Sequence, residues 1–417
     1  MPSLVFRGSS SLVPCVLAFL AHASIAAEPA CGALDRLTLV ACAEARSPSV
    51  TAELASVRAA EGRREAGRPF LPANPMVSGS LASRTGTAGR ALNWSVTLAQ
   101  EWEIAGQRGL RVDAAEHELK AQLHQVAVAR AEVAEQAWLA WFQVLAARER
   151  LALSNKLERA STGVSNTVQA MSAQGLVSTI DAAIADAAAV RASQARLEAE
   201  RELSSAEVQL ASLLGLSNLG PITGELEPLR FNEAANPARP ELLALEAMQG
   251  AFSKRVELLR RGRAPNPTLS LFAQNDGFDE RVFGVGLGVP IPLPQPLGRT
   301  AAGEIADALG REARQQAELE RLSRALSAER ELAAKAWVTG LKSRALYSPE
   351  RLERARQGLA AITEQVTAAR LSVREALIAQ QALTELLQAE VTARHQLCVA
   401  SVRRIRASGG SLEGGDL

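Results

Sequence analysis

The residues of this sequence that could do chemistry are few and widely spaced. His117 and His124 lie seven positions apart, which puts them on one face of a helix but about 10 Å from each other. That distance is too great for both imidazoles to bind one ion directly. His395 stands alone, and His22 lies in the N-terminal segment described below. We interpret His117 and His124 as solvated side chains and predict no metal site.

Motifs of enzymes are missing from the sequence. It contains no nucleophile elbow, phosphate-binding loop, Cys-x-x-Cys or His-Glu-x-x-His pattern. The formal net charge is +1, which gives no electrostatic argument for nucleic-acid binding. We therefore expect neither an enzyme nor a nucleic-acid-binding protein, and no cofactor.

The four cysteines differ in their surroundings. Cys15 lies in the N-terminal apolar segment, and Cys398 lies on a predicted helix, where a small buried side chain is expected. Cys31 and Cys42 could form a disulfide in an oxidising compartment. Neither Cys15 nor Cys31 follows the residues of a lipoprotein cleavage site.

The N-terminus has the pattern of a secretory signal peptide, 1–27. Arg7 precedes an apolar run from Leu12 to Ala21, and small residues follow through Ala27. No later run approaches the roughly 20 apolar residues of a membrane helix. The mature chain is therefore predicted to be exported, and it could enter a membrane only as strands.

One stretch, Leu92 to Ile104, has the alternation of a strand with one apolar and one polar face. Trp94 and Trp102 share the apolar face, roughly 26 Å apart at about 3.3 Å per residue. This separation is close to the ~25 Å apolar band of a membrane barrel, which is bounded by aromatic girdles. The alternative is an edge strand of a soluble sandwich. Glu101 and Glu103 on the polar face could line a channel and favour cations, or could simply be solvated.

Most of the remaining chain is predicted to be helical, and its plan occurs twice. Each half has a helix, a strand pair, a long helix and a return helix. Matched positions, such as Pro75 with Pro267 and Gly175 with Arg370, are separated by roughly 191 to 195 residues. Gly106-Gln107-Arg108-Gly109 closes the first hairpin, and after it nothing breaks the helix until about Ala173. This stretch of about 67 residues would be roughly 100 Å long at 1.5 Å per residue. The helix over 39–67 and the return helix over 179–214 together have nearly the same length, which favours stacking both against the long one.

The domain boundaries follow from this repeat. The first repeat is 28–216, with strands 76–84 and 92–104 and a helical tip at 174–178. A linker, 217–239, separates it from the second repeat, 240–406, with strands 268–274 and 282–292 and a tip at 370–372. The last residues, 407–417, are predicted to be a flexible tail.

Four strands are too few to close a membrane barrel, because the smallest barrels have about eight. An open edge cannot persist in lipid, so the chain is expected to oligomerise. Three copies would supply twelve strands, enough for an aqueous lumen. The predicted fold is thus mostly α with a small β part: a trimer forming a 12-stranded outer-membrane barrel continued by a periplasmic α-helical barrel.

These features resemble the TolC-like outer-membrane efflux channels. The resemblance covers nearly the whole mature chain and rests on the duplicated plan, on Asn74-Pro75 and Asn266-Pro267 before the two strand pairs, and on the tip sequence Gly175-Leu176-Val177-Ser178-Thr179-Ile180-Asp181. Phrases such as LAQEWEIAGQRGLRVDAAE and GVGLGVPIPLPQPLGRTAAGEIADA are most similar to the heavy-metal cation efflux (CzcC-like) branch.

The resemblance implies an exit duct in the outer membrane of a Gram-negative bacterium, with a long periplasmic part. It also implies a homotrimer, a periplasmic adaptor (membrane fusion) protein and an inner-membrane pump of the resistance-nodulation-division type. The substrates would be metal cations or drugs. The adaptor would contact the two tips through these residues: Gly175, Leu176, Val177, Ser178, Arg370, Leu371 and Ser372.

The second tip departs from the family pattern. Ala376 and Ala379 stand where the family often carries acidic residues that narrow the periplasmic aperture, while Asp181 and Glu375 remain as aperture candidates. Two other functions stay open at this level. One is the exit duct of a protein secretion system, and the other is a soluble periplasmic coiled-coil adaptor, which would not require two matched pairs of amphipathic strands.

Overall fold

The computed structural model describes residues 31–86, 89–230, 238–275, 280–293, 301–368 and 370–412. The predicted signal peptide, 1–27, lies outside the described residues. The helices and strands formed within these ranges are, in chain order, α1 Leu39–Arg46, α2 Pro48–Gly67, β1 Met76–Gly86, β2 Gly89–Glu101, α3 Gln107–Ala173, α4 Thr179–Leu213, α5 Pro240–Arg261, β3 Thr268–Asn275, β4 Arg281–Gly288, α6 Ala302–Ala345, α7 Pro349–Thr367 and α8 Val373–Ser408.

The element order confirms the mostly helical, duplicated fold with a small sheet. Two short helices, a strand pair, a long helix and a return helix form the first half, and the second half repeats this order with its long helix divided into α6 and α7. No helix in the described ranges combines the length and the apolar character needed to cross a membrane.

Several element boundaries differ from the predictions, and proline explains two of them. The single helix expected over 39–67 is two helices, because Ser47 is extended and Pro48 starts α2 at its first turn, with the Ser47 hydroxyl accepting from Val50 N. Strand β4 ends at Gly288 rather than 292, since Pro290 and Pro292 lack the N–H that a ladder needs. Strand β2 ends at Glu101, three residues early, as the chain turns towards α3.

Helix α3 is the scaffold on which the other helices assemble. It is 67 residues long, or roughly 100 Å, and it contacts α1, α2, α4, α5, α7 and α8. Helices α2 and α4 both pack against it, so the predicted stacking of two shorter helices on one long helix is confirmed.

The main core surrounds the middle of α3. Trp138, Trp141 and Phe142 are almost fully buried, with ring centroids 5.2 to 5.6 Å apart. The predicted linker contributes Ile222 and the fully buried Leu226 to this core. Because aromatic side chains bury large areas, this cluster ties the two repeats together at their middle.

The N-terminal segment is held against the linker. A disulfide joins Cys31 and Cys42, with Cα atoms 5.7 Å apart. Between them, Leu34 is fully buried, its N–H donates to the Pro221 carbonyl over 3.0 Å, and its carbonyl accepts from Thr223 N over 2.9 Å.

The flexible tail predicted for 407–417 is wrong for its first residues. Helix α8 continues to Ser408, and Leu412 is buried in the main core, where its carbonyl accepts a hydrogen bond of 2.8 Å from Trp138 Nε1. The buried indole N–H needs an acceptor, and the chain after α8 supplies it. Residues 413–417 lie outside the described residues.

A buried charge cluster joins the start of α5 to the end of α8. Arg239 lies 3.0 Å from Glu241, and Arg406 also pairs with Glu241 and lies 3.7 Å from Glu135. Burial raises the pKa of Glu135. Burial also opposes ionisation of Glu241, but hydrogen bonding and the two arginines outweigh it and hold the Glu241 pKa at about 2.

We expect Glu241 to stabilise the fold in a pH-dependent manner. Its folded pKa lies below the ordinary value of 4.5, so its contribution is complete above about pH 4.5 and is lost as the pH falls towards 2. At neutral pH this contribution is roughly 3 kcal/mol. Urea unfolding of the wild type and of Glu241→Gln should therefore differ most at neutral pH. Glu353→Gln, at an exposed position of α7, is the control, and a difference that does not change with pH would contradict this role.

Candidate functional site

The four strands form one antiparallel sheet in the order β1-β2-β3-β4, and its register places the apolar side chains on one face. Val96 is paired with Gly79 and Ala273, and Leu98 is paired with Val77 and Leu271. The large side chains that share this face are Val77, Leu81, Leu92, Trp94, Val96, Leu98, Leu269, Leu271, Phe283, Val285 and Leu287. All of them are exposed, so no other part of the described chain covers this face.

The opposite face is small and polar. Ser80 and Ser95 share a hydrogen bond of 2.8 Å across β1 and β2. Met76, Val282 and Phe272 are the large apolar exceptions, and the Phe272 ring lies directly over Gly284, where a Cβ would collide with it. Glycine in β4 therefore makes room for an aromatic ring on the face turned away from the apolar one.

The sheet is open at both sides. In the part of the chain that the structure describes, β1 pairs only with β2, and β4 pairs only with β3. The outer sides of β1 and β4 therefore present backbone N–H and C=O groups to a further strand.

A polar network joins the sheet to the helices at the Asn-Pro segment. Asn266 donates from Nδ2 to Glu101 over 2.7 Å and accepts from Gln107 Nε2 over 2.9 Å, while Gln107 Oε1 accepts from Ala105 N. Glu103 forms a bidentate ion pair with Arg111, 2.6 Å at its closest, and its side chain is largely buried. Both carboxylates that the sequence left open as lumen-lining or solvated are thus engaged in this junction.

The predicted girdle tryptophans are both exposed at about the same level, 38% for Trp94 and 39% for Trp102. Trp102 follows β2, and its N–H donates to the Pro267 carbonyl over 2.9 Å. Sequence reasoning missed Phe70, whose ring meets Trp102 edge-to-face at 5.9 Å and is 68% exposed. The sequence signal that could have revealed Phe70 is its position in the proline-rich segment that ends α2.

At the first tip, α3 ends in a turn that depends on glycine, and the chain reverses direction there. Gly175 has φ +74°, its N–H donates to the Ser172 carbonyl, and Leu176 N donates to Met171 O, each over 2.9 Å. This is the Schellman arrangement, which requires a left-handed residue and so favours glycine. Ser178 then caps α4 by accepting from Asp181 N over 3.1 Å.

The second tip is built in the same way. Arg370 N donates to Gln365 O over 2.9 Å at the end of α7. Ser372 and Glu375 form a reciprocal capping box at the start of α8. The two hairpins therefore end in matched turns, each followed by a serine-capped return helix.

The apolar tip residues do not share one environment. Leu176 is 66% exposed, as expected. Val177 and Leu371 are instead half-buried and pack against a small core that we call the tip cluster. The tip cluster includes Val164, Val168, Ala185, Leu359, Ile362, Val366, Val373 and Ala376.

The aperture candidates Asp181 and Glu375 are both engaged in capping. The Ser178 hydroxyl donates to Asp181 Oδ2 over 2.9 Å, and the Ser372 hydroxyl and N–H donate to Glu375. These hydrogen bonds lower the Glu375 pKa, so its carboxylate is ionised at neutral pH. Ala376 is fully buried in the tip cluster, a position that leaves no room for an exposed acid.

The histidines are separate in the structure. The His117 ring lies against Gly250 of α5. His395 lies elsewhere, and burial, together with the charge of Arg150, lowers its pKa. Among the described residues, no group of three or more His, Cys, Asp or Glu side chains could hold a metal ion.

Comparison with known proteins identifies the type of molecule. Residues 39–216 match the family described as outer membrane efflux protein. No curated protein matches the chain. The outer-membrane protein VceC of Vibrio cholerae is 18% identical with a TM-score of 0.72, covering 90% of this chain and 96% of its own. A membrane protein from Pseudomonas aeruginosa is 20% identical with a TM-score of 0.76, and the match covers 92% of each chain.

A third solved structure is the open state of the MtrE outer-membrane channel of Neisseria gonorrhoeae. It is 16% identical with a TM-score of 0.71, covering 91% of this chain and 90% of its own. At these identities the likeness establishes the fold. The family match covers the first repeat, and the solved structures show that the fold of the whole chain is similar to that of outer-membrane channels.

The two faces of β2 should respond differently to charge. Leu98→Arg puts a guanidinium on the apolar face and should cost about 2–4 kcal/mol of sheet stability in a membrane, whereas Thr97→Arg, on the opposite face, should cost much less. Unfolding by urea in lipid vesicles measures both. Equal losses would show that the faces are assigned wrongly.

Proposed function

We propose that this chain is one protomer of a trimeric outer-membrane exit duct that works in a tripartite efflux system. The observation that carries the proposal is the sheet: eleven large apolar side chains on one face are exposed, and both edges are open. A soluble protein would leave this face in water. Hydrocarbon is the solvent that suits it.

The number of copies follows from the strands. One chain supplies four strands, and barrels in the outer membrane need about eight or more. Three copies give twelve, with β4 of one copy pairing with β1 of the next. The small polar face would then line a water-filled lumen.

The helices would continue the channel into the periplasm. Helix α3 and its return helix α4 carry many charged side chains, so they cannot enter hydrocarbon. The far end of α3 and α4 is the first tip, where Leu176 is exposed, and the far end of α7 and α8 is the second tip. An apolar side chain presented on a rigid turn suits a protein partner, and we assign the tips to a periplasmic adaptor that connects the duct to an inner-membrane pump, of the resistance-nodulation-division type.

The substrate we propose is a heavy-metal cation. The support is the likeness of residues 98–116 and 284–307 to the heavy-metal branch of the family. A duct of this kind needs no metal ligands of its own, because the pump selects the substrate and the channel only conducts it. Aperture residues Asp181 and Glu375 would present carboxylates near the tips.

The mass of the purified protein in detergent tests the assembly. We expect a trimer, because a separate chain would leave two strand edges and the apolar face without partners. Light scattering or native mass spectrometry distinguishes one copy from three. A folded, stable monomer in detergent would overturn the barrel proposal.

The tip contact is tested in cells. Deleting the gene should sensitise the cells to the exported compounds, and growth on a panel of metals and drugs identifies these compounds. Sensitivity to drugs alone would contradict the metal assignment. A secretion defect without sensitivity would indicate a protein exit duct.

In the restored strain, Leu176→Asp should lose export while the trimer keeps its normal abundance. Loss of a contact anchor of this kind weakens affinity roughly thirtyfold.

The matched control is Leu37→Asp. Leu37 is 65% exposed, like Leu176, but it lies in the N-terminal segment, far in the sequence from both tips. It should leave export unchanged. Leu371→Asp is a poorer test, since Leu371 also packs on the tip cluster. Normal export by the Leu176→Asp variant would mean that the adaptor contacts lie elsewhere.

A further inference from the structure

Where the apolar face of the sheet ends, the chain presents a second set of exposed side chains. Phe70, Trp102 and Ile104 are 68%, 39% and 66% exposed, and the first two are in edge-to-face contact. Trp102 and Ile104 follow β2, Phe70 precedes β1, and Trp102 N donates to the carbonyl of Pro267, directly before β3. The apolar face is therefore extended by aromatic and aliphatic side chains that are not part of the strands.

Arginines follow directly below these side chains, on the helix side of the sheet. Arg260 and Arg263 are exposed at the end of α5, and no ion-pair partner is found for either within the described ranges. Arg108 is also exposed; its Nε donates to the Arg68 carbonyl over 2.8 Å, which ties it to the segment that carries Phe70. Arg261 instead pairs with Glu257 and donates to Ala105 O, and thereby holds this end of α5 against the chain after β2.

The spacing along β2 matches a membrane boundary. Leu92 to Trp102 is roughly 33 Å along a strand at about 3.3 Å per residue. At a tilt of about 40° this becomes a height of about 25 Å, the height of the apolar band of a membrane barrel. Trp102 and Phe70 would then lie at one edge of the hydrocarbon, and the arginines would lie at the level of the lipid phosphates.

We infer that Phe70, Trp102, Arg108, Arg260 and Arg263 form a phospholipid-binding collar on the periplasmic side of the sheet. The arginine guanidinium groups would bind the phosphodiester of a phospholipid in the periplasmic leaflet, and the two rings would contact the upper part of its acyl chains. Guanidinium suits this ligand because it donates two parallel hydrogen bonds to phosphate oxygens. The inference depends on the proposed function, because it requires the sheet to lie in a bilayer.

Lipid binding to the purified trimer in dodecyl maltoside tests the collar. Native mass spectrometry would follow titration with dioleoyl phosphatidylglycerol and with dioleoylglycerol, which has the same acyl chains but no phosphate. The double variant Arg260→Gln/Arg263→Gln should bind phosphatidylglycerol roughly thirtyfold more weakly than the wild type, since each arginine contributes a factor of about five to six. Its weak binding of dioleoylglycerol should not change. Phe70→Ala should weaken the binding of both lipids.

The matched control is Arg58→Gln/Arg201→Gln, which removes two exposed arginines of α2 and α4 that have no ion pair in the described part of the chain. It should bind phosphatidylglycerol like the wild type. Equal binding by the collar variant and the wild type, or equally tight wild-type binding of both lipids, would overturn the inference.

Trimer stability separates this inference from its alternatives. If the collar variant binds lipid normally but its trimer dissociates, the arginines pair with a second copy of the chain, and the lipid assignment is wrong. If the wild type forms no trimer, the proposed function fails together with the collar. A stable trimer that retains no phosphatidylglycerol would leave the duct standing and reject only the collar.

Discussion

The constraint on which this molecule depends is a four-stranded sheet that the chain leaves uncovered on one face and open at both edges. Val96, Leu98 and their neighbours project away from every helix, and nothing in the described chain packs on them. In water such a sheet would be an aggregation site, because exposed apolar strands with free edges recruit further strands. Lipid on the apolar face removes its exposure to water, and identical copies at the edges supply the missing strand partners. The membrane and the trimer are therefore answers to one physical problem.

The helices transmit that arrangement to the far end of the molecule. Helix α3 runs without interruption from the sheet junction to the first tip, and the core around Trp138 and Trp141 fixes both repeats to it at the middle. At the sheet end, Asn266 and Gln107 connect strand to helix through hydrogen bonds rather than apolar packing. A continuous rod with a core at its middle and polar joints at its ends keeps the tips in a fixed position relative to the barrel.

The carboxylates of this chain serve mainly to hold its elements together. Glu103 pairs with Arg111 at the sheet junction, Glu241 pairs with two arginines between the repeats, and Glu375 caps α8. Asp181 and Glu375 each accept a hydrogen bond from a capping serine, so these two carboxylates also hold the starts of α4 and α8. This distribution suits a conduit, in which the wall must be stable and the transported substrate must not be retained.

The sequence by itself determined the repeat, the strand pairs and the long helices, because alternation and helix breakers are local properties. Trp94 and Leu98 could be assigned to one face from their even spacing, and the tips could be located from Gly175 and Ser372. The contacts of Cys31 with Cys42, of Trp138 with the carbonyl of Leu412, and of Glu103 with Arg111 required the fold. In the same way, the half-buried state of Leu371, the role of Phe70 and the burial of Leu412 depend on which distant segments meet. Tertiary packing decides such partnerships, since they join residues whose separation in the chain carries no periodic signal.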